Sequence, residues 1–169
     1  MIDDTLQRTA TALLVLAALF AAWAGWSWYA AADDDGYAYS RTRAEVLQAG
    51  EQAVQNLNTL DYRHLGPGLK TWQDSTTSDL YRQITQGRAA FEEQVKKART
   101  ITEARILDAA VAELDERSGK ARILVAVEIT VTPPDGDPVT KQSRLVGKVT
   151  RTPAGWKLSE LGQAPAEAM

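Results

Sequence analysis

The sequence predicts an α+β protein in which an uncharged N-terminal helix precedes three further helices and a curved antiparallel sheet of about four strands. Two observations carry this prediction. Residues 10–32 contain no charged side chain, and after Thr100 the apolar residues change from helical spacing to alternation. Because the helical patterns come first and the strand patterns follow, we expect the helices to pack on one face of the sheet.

The N-terminal segment, residues 10–32, predicts a transmembrane helix. A helix of this length spans about 35 Å, and the hydrocarbon core of a bilayer is about 30 Å thick. Aromatic side chains suited to the membrane–water interface lie near its C-terminal end, namely Trp23, Trp26, Trp28 and Tyr29. Two alternatives stay open: a signal peptide cleaved after Ala24 or Ala32, and a helix buried in a protein core. We expect an uncleaved anchor, because the apolar run exceeds the roughly 7–15 residues of a signal peptide.

The flanking charges do not determine the orientation of this segment, since Arg8 lies on one side and Arg41 and Arg43 on the other. A long domain that follows a span crosses the membrane largely regardless of its charge. We therefore expect a single-pass protein of the plasma membrane with its main domain outside the cytoplasm. The expected parts are a cytoplasmic tail (1–9), the span (10–32), a juxtamembrane link (33–38), an α+β domain (39–162) and a flexible tail (163–169).

Composition excludes several classes of function. The chain has 19 Lys and Arg against 22 Asp and Glu, a net charge of −3, which argues against a nucleic-acid partner. It has no cysteine, so disulfides and thiolate sites are impossible. Its one histidine, His64, is too few for a histidine-based zinc site. We expect no metal and no cofactor.

The helical patterns behind the link give three segments. The first begins near Tyr39 and presents apolar residues at positions 46, 50, 53, 54, 57 and 60. Gly66, Pro67 and Gly68 are expected to interrupt the chain. A second helix is expected to begin at Ser75 or Thr77, and a third covers 88–98.

Four strands are predicted after the helices, over 102–114, 123–131, 139–151 and 156–161. Turn sequences separate them at 115–119, 133–137 and 153–155. A meander that follows a long helix is typical of the cone-shaped, cystatin-like architecture of the nuclear transport factor superfamily. Architecture alone does not identify a function.

Four short motifs in a fixed order support a family assignment: Leu57–Tyr62 (LNTLDY), Thr76–Tyr81 (TTSDLY), Ala121–Val125 (ARILV) and Gly155–Leu161 (GWKLSEL). With the N-terminal span, this order resembles the actinobacterial Mce-associated membrane proteins. Ser78 stands where that family usually has glycine. The resemblance implies a single-pass protein with a nuclear-transport-factor-like extracytoplasmic domain, in contact with the lipid bilayer and with other envelope transport proteins. It implies a non-catalytic accessory role beside Mce lipid-import complexes.

Alternative functions stay open. The family is also similar in shape to the bitopic assembly factor of type IV secretion systems, which makes a secretion-like assembly factor one alternative. An extracytoplasmic domain that binds or converts a small ligand inside the cone is another, and such a domain requires an open pocket. Self-association into a homo-oligomer is compatible with each of these functions.

We expect no catalytic residues. Asp61 and His64 form a conceivable acid–base pair, but the adjacent Gly-Pro-Gly turn favours a surface role. Trp72, expected in a loop, and Tyr81 are candidate contacts with a partner or a cavity, although core packing is the favoured role of Trp72. The remaining candidates are expected to be structural: Trp156 in the core, residues 33–35 as a solvated stop to the span, and Lys96, Lys97 and Arg99 at a helix C-terminus.

Overall fold

The computed structural model describes residues 2–32 and 35–164, with side chains for residues 13–29 and 36–164. The chain divides into two compact units, Met1–Arg41 and Thr42–Met169. The first helix, α1, covers Ile2–Ala32, and α2 covers Asp35–Leu57. Helix α2 therefore begins four residues before the predicted start at Tyr39, and it takes in residues that were expected to form the link.

No helix made of described residues has both the length and the apolar character that a bilayer crossing requires. The predicted span over 10–32 falls within α1. The side chains of residues 10–12 and 30–32, at its two ends, lie outside the described residues, as do those of the three aspartates at 33–35. The four predicted interface aromatics are all exposed on α1: Trp23, Trp26, Trp28 and Tyr29.

Two predictions about the next helices are wrong. Helix α3 covers Leu65–Ser75, so the Gly-Pro-Gly sequence forms its first turn instead of a break. Proline is accommodated there because the first turn of a helix needs no amide hydrogen from it. Helix α4 covers Ser78–Ala98 without interruption, so the second and third predicted helices are one helix.

The sheet confirms the predicted α+β class and the antiparallel meander. Strands β2 (Ile101–Asp115), β3 (Lys120–Thr132), β4 (Val139–Thr152) and β5 (Gly155–Gln163) pair in chain order. Each begins and ends close to its predicted bounds, because alternating burial is visible in the sequence. A short strand that was not predicted, β1 (Leu60–Asp61), pairs antiparallel with the start of β2 and continues into a 3₁₀ turn, Tyr62–His64.

The core lies between α2 and one face of the sheet, which we name the inner face. Its fully buried side chains come from α2 (Val46, Val54) and from the strands (Ile123, Val127, Leu158). Gly50 and Gly147 permit this close packing, since a Cβ atom at Gly147 would lie 2.9 Å from Cδ1 of Leu158. The opposite face of the sheet, the outer face, carries the alternate, more exposed residues of each strand.

Helices α3 and α4 contact the short strand β1 and the last strand β5, at opposite edges of the sheet. At one edge, the amide of Thr77 donates a hydrogen bond of 2.9 Å to the carbonyl of Leu158 in β5. At the other, α3 buries Leu65 and Leu69 beside β1. Helix α4 therefore runs from the β5 edge towards the β1 edge and the 3₁₀ turn.

Candidate functional site

Trp72 joins three elements near the β1 edge. It lies in α3, so its predicted place in a loop is wrong. Its indole Nε1 donates to the carbonyl of Thr59 at 3.3 Å, and its ring centroid lies 5.3 Å from that of Phe91 in α4. The half-buried indole thus holds α3 against both α4 and the segment between α2 and β1.

A small cavity of about 260 Å³ adjoins Trp72. Its wall is mainly apolar, with a few amide and hydroxyl groups from Asn58, Thr100 and Thr102. Its apolar lining residues are Leu57, Leu60, Trp72, Phe91 and Val95. The volume lies at or below the lower end of the range that ligand pockets usually occupy, about 300–1,000 Å³.

Tyr81 lies in the first turn of α4, at the end of that helix near β5 and away from Trp72. Its side chain is 42% exposed and borders a surface depression of about 490 Å³ with Thr77, Pro153 and Lys157. Its amide donates to the carbonyl of Thr77. The structure does not bring Trp72 and Tyr81 into one cavity.

The junction between α3 and α4 is held tightly to the sheet. Thr76 is buried, and its hydroxyl donates to the carbonyl of Trp72 at 2.9 Å. Thr76 also forms a parallel bridge to Leu158 of β5, and the chain then turns through Ser78, whose φ is +57°. Residues other than glycine rarely adopt this left-handed conformation.

Asp61 and His64 lie close together, as the sequence allowed, but on the surface. The imidazole Nδ1 is 3.4 Å from Asp61 Oδ2, and the His64 side chain is 73% exposed. Arg63 binds the same carboxylate through Nε and Nη2 at 2.8–3.0 Å. This ion pair holds the pKa of Asp61 well below its usual range, so the carboxylate is a poor proton acceptor.

The other candidate residues have structural surroundings. Lys96 and Lys97 lie in the last turn of α4, and Arg99 ends that helix with a φ of +52°. Trp156 packs against the core, with the Arg151 guanidinium 4.8 Å above its ring. Within the described residues, no group of three acidic, histidine or cysteine side chains is arranged to hold a metal ion.

Sequence reasoning missed a set of paired charges on the outer face of the sheet. Arg105 binds Glu128 at 2.8 Å, Lys148 binds Glu160 at 2.6 Å, and Arg122 pairs with Glu113. Hydrogen bonds from Arg105 and then Gln142 lower the pKa of Glu128. A shallow depression of about 560 Å³ includes part of this set. The alternation of β3 places its charges on this face, but their partners depend on the register between strands.

Several solved structures share this fold. An IcmL-like type IV secretion system protein from Legionella pneumophila has a TM-score of 0.59 at 16% identity, over 75% of this chain and 95% of that one. CagV, a VirB8 homologue of Helicobacter pylori, has a TM-score of 0.54 at 16% identity, over 73% and 99%. VirB8 of Agrobacterium tumefaciens has a TM-score of 0.56 at 9% identity, over 76% and 96%. At these identities the likeness shows a common fold.

No curated protein matches the sequence significantly. A family model does match, over residues 5–165, and its description is "Uncharacterized protein Rv1363c/MT1408-like". The match extends from α1 through β5 and so includes both compact units of the chain. The chain therefore belongs to the Rv1363c/MT1408-like family.

Proposed function

We propose that the chain is a non-catalytic, single-pass envelope protein that assembles or stabilises a transport complex of the Mce lipid-import type. The observation that supports this most directly is the packing between α2 and the sheet. Core side chains that are fully buried, among them Val54, Ile123 and Leu158, occupy the space where a nuclear-transport-factor-like enzyme would need an open pocket. We therefore assign the function to contacts that the surface of the domain makes with partner proteins.

The residues that could act as acid or base in catalysis support the same proposal. Asp61 is bound to Arg63, and His64 lies exposed on a short turn and lines none of the depressions described above. An acid–base mechanism needs a group positioned against a bound substrate. A small-ligand binder or enzyme is therefore the less favoured alternative, with the cavity beside Trp72 as the place where it would act.

The solved structures of similar fold favour an envelope role. They include the periplasmic domain of DotI, a periplasmic fragment of TraM and type IV secretion proteins. These descriptions apply to those proteins, and the shared fold alone extends to this chain. A secretion-like assembly factor is therefore the second candidate, while the link to Mce complexes comes from the motif order.

A topology experiment tests the membrane placement. Because the chain has no cysteine, one substitution supplies a unique label site. Asp137→Cys, in the exposed β3–β4 turn, is expected to react with a membrane-impermeant maleimide in intact cells. Reaction only after lysis would place the domain in the cytoplasm and overturn the proposed orientation. The intact mass of the same protein distinguishes an anchor from a cleaved signal peptide, which would remove about thirty residues.

A functional experiment distinguishes the candidate complexes. A strain lacking this chain is tested for uptake of a labelled lipid and, separately, for conjugative DNA transfer. Loss of lipid uptake with co-purification of Mce subunits supports the first candidate, and loss of DNA transfer supports the second. If both processes are normal and the chain purifies alone in mild detergent, the assembly role is wrong.

A further inference from the structure

One edge of the sheet is open along most of β2. The sheet order places β1 on this side, but β1 pairs only with Ile101 and Thr102. From Arg105 to Asp115, no strand of the described residues pairs with β2 on the edge that faces away from β3. An open edge presents unpaired amide and carbonyl groups, which makes it a template for another strand.

Two hydrogen bonds identify the backbone groups that point towards this edge. The amide of Ala104 donates to Thr59 Oγ1 at 3.2 Å, and the carbonyl of Val111 accepts from Arg43 Nη2 at 3.3 Å. Alternate residues of an antiparallel strand direct both backbone groups to the same side. Ala109 and Val111 therefore present their amides and carbonyls to the open edge, and the carbonyl of Val111 retains a second lone pair.

The side chains of β2 are arranged symmetrically about Ala110. Register shifts next to Leu107 and Ala112 interrupt the simple alternation. As a result, four residues pack against the inner-face core: Ile106, Ala109, Val111 and Leu114. The residues between them are exposed: Arg105, Leu107, Asp108, Ala110, Ala112, Glu113 and Asp115. Each inner residue on one side of Ala110 has an inner counterpart at the same distance on the other side, and the same holds for the exposed residues.

We propose that this edge binds the β2 edge of a second copy of the chain, antiparallel and centred on Ala110. In this register Ala109 lies opposite Val111 of the second copy, and these two residues exchange backbone hydrogen bonds. Ile106 lies opposite Leu114 of the second copy, so both inner faces stay apolar. The two sheets become one continuous sheet across the dimer.

The charges favour the same register. Arg105 lies opposite Asp115 of the second copy, and the symmetry repeats this pair. Arg105 already binds Glu128, and Asp115 already accepts hydrogen bonds from the amides of Arg117 and Ser118. A guanidinium has five donors and a carboxylate has about four acceptor sites, so both groups can form the additional pair.

The register shifts make the pairing selective. Bulges normally protect an open edge against indiscriminate pairing. A displacement by two residues in one direction places inner Val111 opposite exposed Leu107, and in the other direction it places inner Ala109 opposite exposed Glu113. Of these three registers, the one centred on Ala110 matches inner with inner from Ile106 to Leu114. This complementarity to itself is why we assign the edge to a second copy. The assignment does not depend on which transport complex the chain serves.

Cysteine cross-linking of the full chain in its membrane tests the proposal. Ala110 and its counterpart would form a non-hydrogen-bonded pair about 4.5 Å apart between Cα atoms, within the range of a disulfide. Ala110→Cys is therefore expected to give a disulfide-linked dimer under mild oxidation. Ala112→Cys is the matched control, because it is the same type of residue on the same exposed side of β2. Its two copies would lie about 13 Å apart, beyond the reach of a disulfide.

We expect at least a tenfold higher dimer yield from Ala110→Cys than from Ala112→Cys, and a several-fold loss when Arg105→Glu is added to the former. Equal yields from the two cysteine variants would overturn the register. Absence of a dimer from both variants, with unchanged circular dichroism, would overturn the pairing itself. A cross-link from position 110 to a different protein would assign the edge to another extended partner.

Discussion

Gly50 of α2 lies against Ile123 of β3, so closely that an added Cβ atom would overlap Cδ1 of that side chain. Ile123 is fully buried and also borders Gly147, so it has little space to move. Gly50→Ala is expected to destabilise the domain by about 1–3 kcal/mol, the usual cost of overpacking a core. Urea denaturation in mild detergent, followed by circular dichroism, measures the free energy of unfolding.

Gly87→Ala provides the matched comparison. Gly87 lies in the middle of α4, and a Cβ atom there would meet no atom within 4 Å. Alanine is therefore expected to stabilise the protein by up to about 1 kcal/mol through helix propensity alone. If the two substitutions shift the unfolding midpoint in the same direction, the close packing at Gly50 is not what limits that position.

Ser78→Gly is expected to increase stability. Ser78 has a φ of +57° at the start of α4, a conformation that costs a residue with a Cβ atom roughly 1–2 kcal/mol. Glycine removes this cost, but it also has more freedom in the unfolded chain. The net stabilisation expected is therefore about 0.5–1 kcal/mol. Thermal unfolding measures the change. Gln86→Gly, in the regular part of α4, should lower stability, and a stabilising effect there would contradict the backbone explanation.

Trp72 and Phe91 are expected to be energetically coupled. Their ring centroids lie 5.3 Å apart at an angle of 42°, in a range where aromatic pairs contribute about 0.5–1.5 kcal/mol beyond area burial. A double-mutant cycle with Trp72→Leu and Phe91→Leu measures this coupling. Phe91→Leu combined with Tyr81→Leu serves as the control pair, because Tyr81 borders a different depression. Equal coupling in the two cycles would refute the contact.

The pKa of Asp61 is expected to rise when Arg63 is replaced by glutamine. Hydrogen bonds from Arg63 are the largest cause of the lowered pKa, and the contact with His64 is smaller. A lowered pKa in the folded state stabilises the protein above the ordinary carboxyl pKa of about 3.9, and this contribution is lost as the pH falls. Carboxyl NMR titration should show a larger rise for Arg63→Gln than for His64→Asn. The opposite order would restore the Asp61–His64 pair as a candidate acid–base unit.

The strands were predictable because alternating burial appears directly in the sequence. Residues such as Ile123 and Val127 reveal the inner face of β3 without knowledge of its neighbours. The helices were less predictable, since Gly66 and Pro67 are turn residues by composition and yet start α3. Trp72 was misplaced for the same reason, because its position follows from that helix.

Short-range patterns therefore determined the α+β class, the placement of the helices before the four long strands and the bounds of those strands, because periodicity depends on neighbouring residues alone. The tertiary structure decided what depends on segments distant in the chain. It placed Gly50 against Ile123, closed the interior with core side chains and forced Ser78 into a left-handed conformation. It also added a first strand too short to cover β2. Strand register and the length of a neighbouring strand are set by contacts between elements, and these leave no local periodic signal.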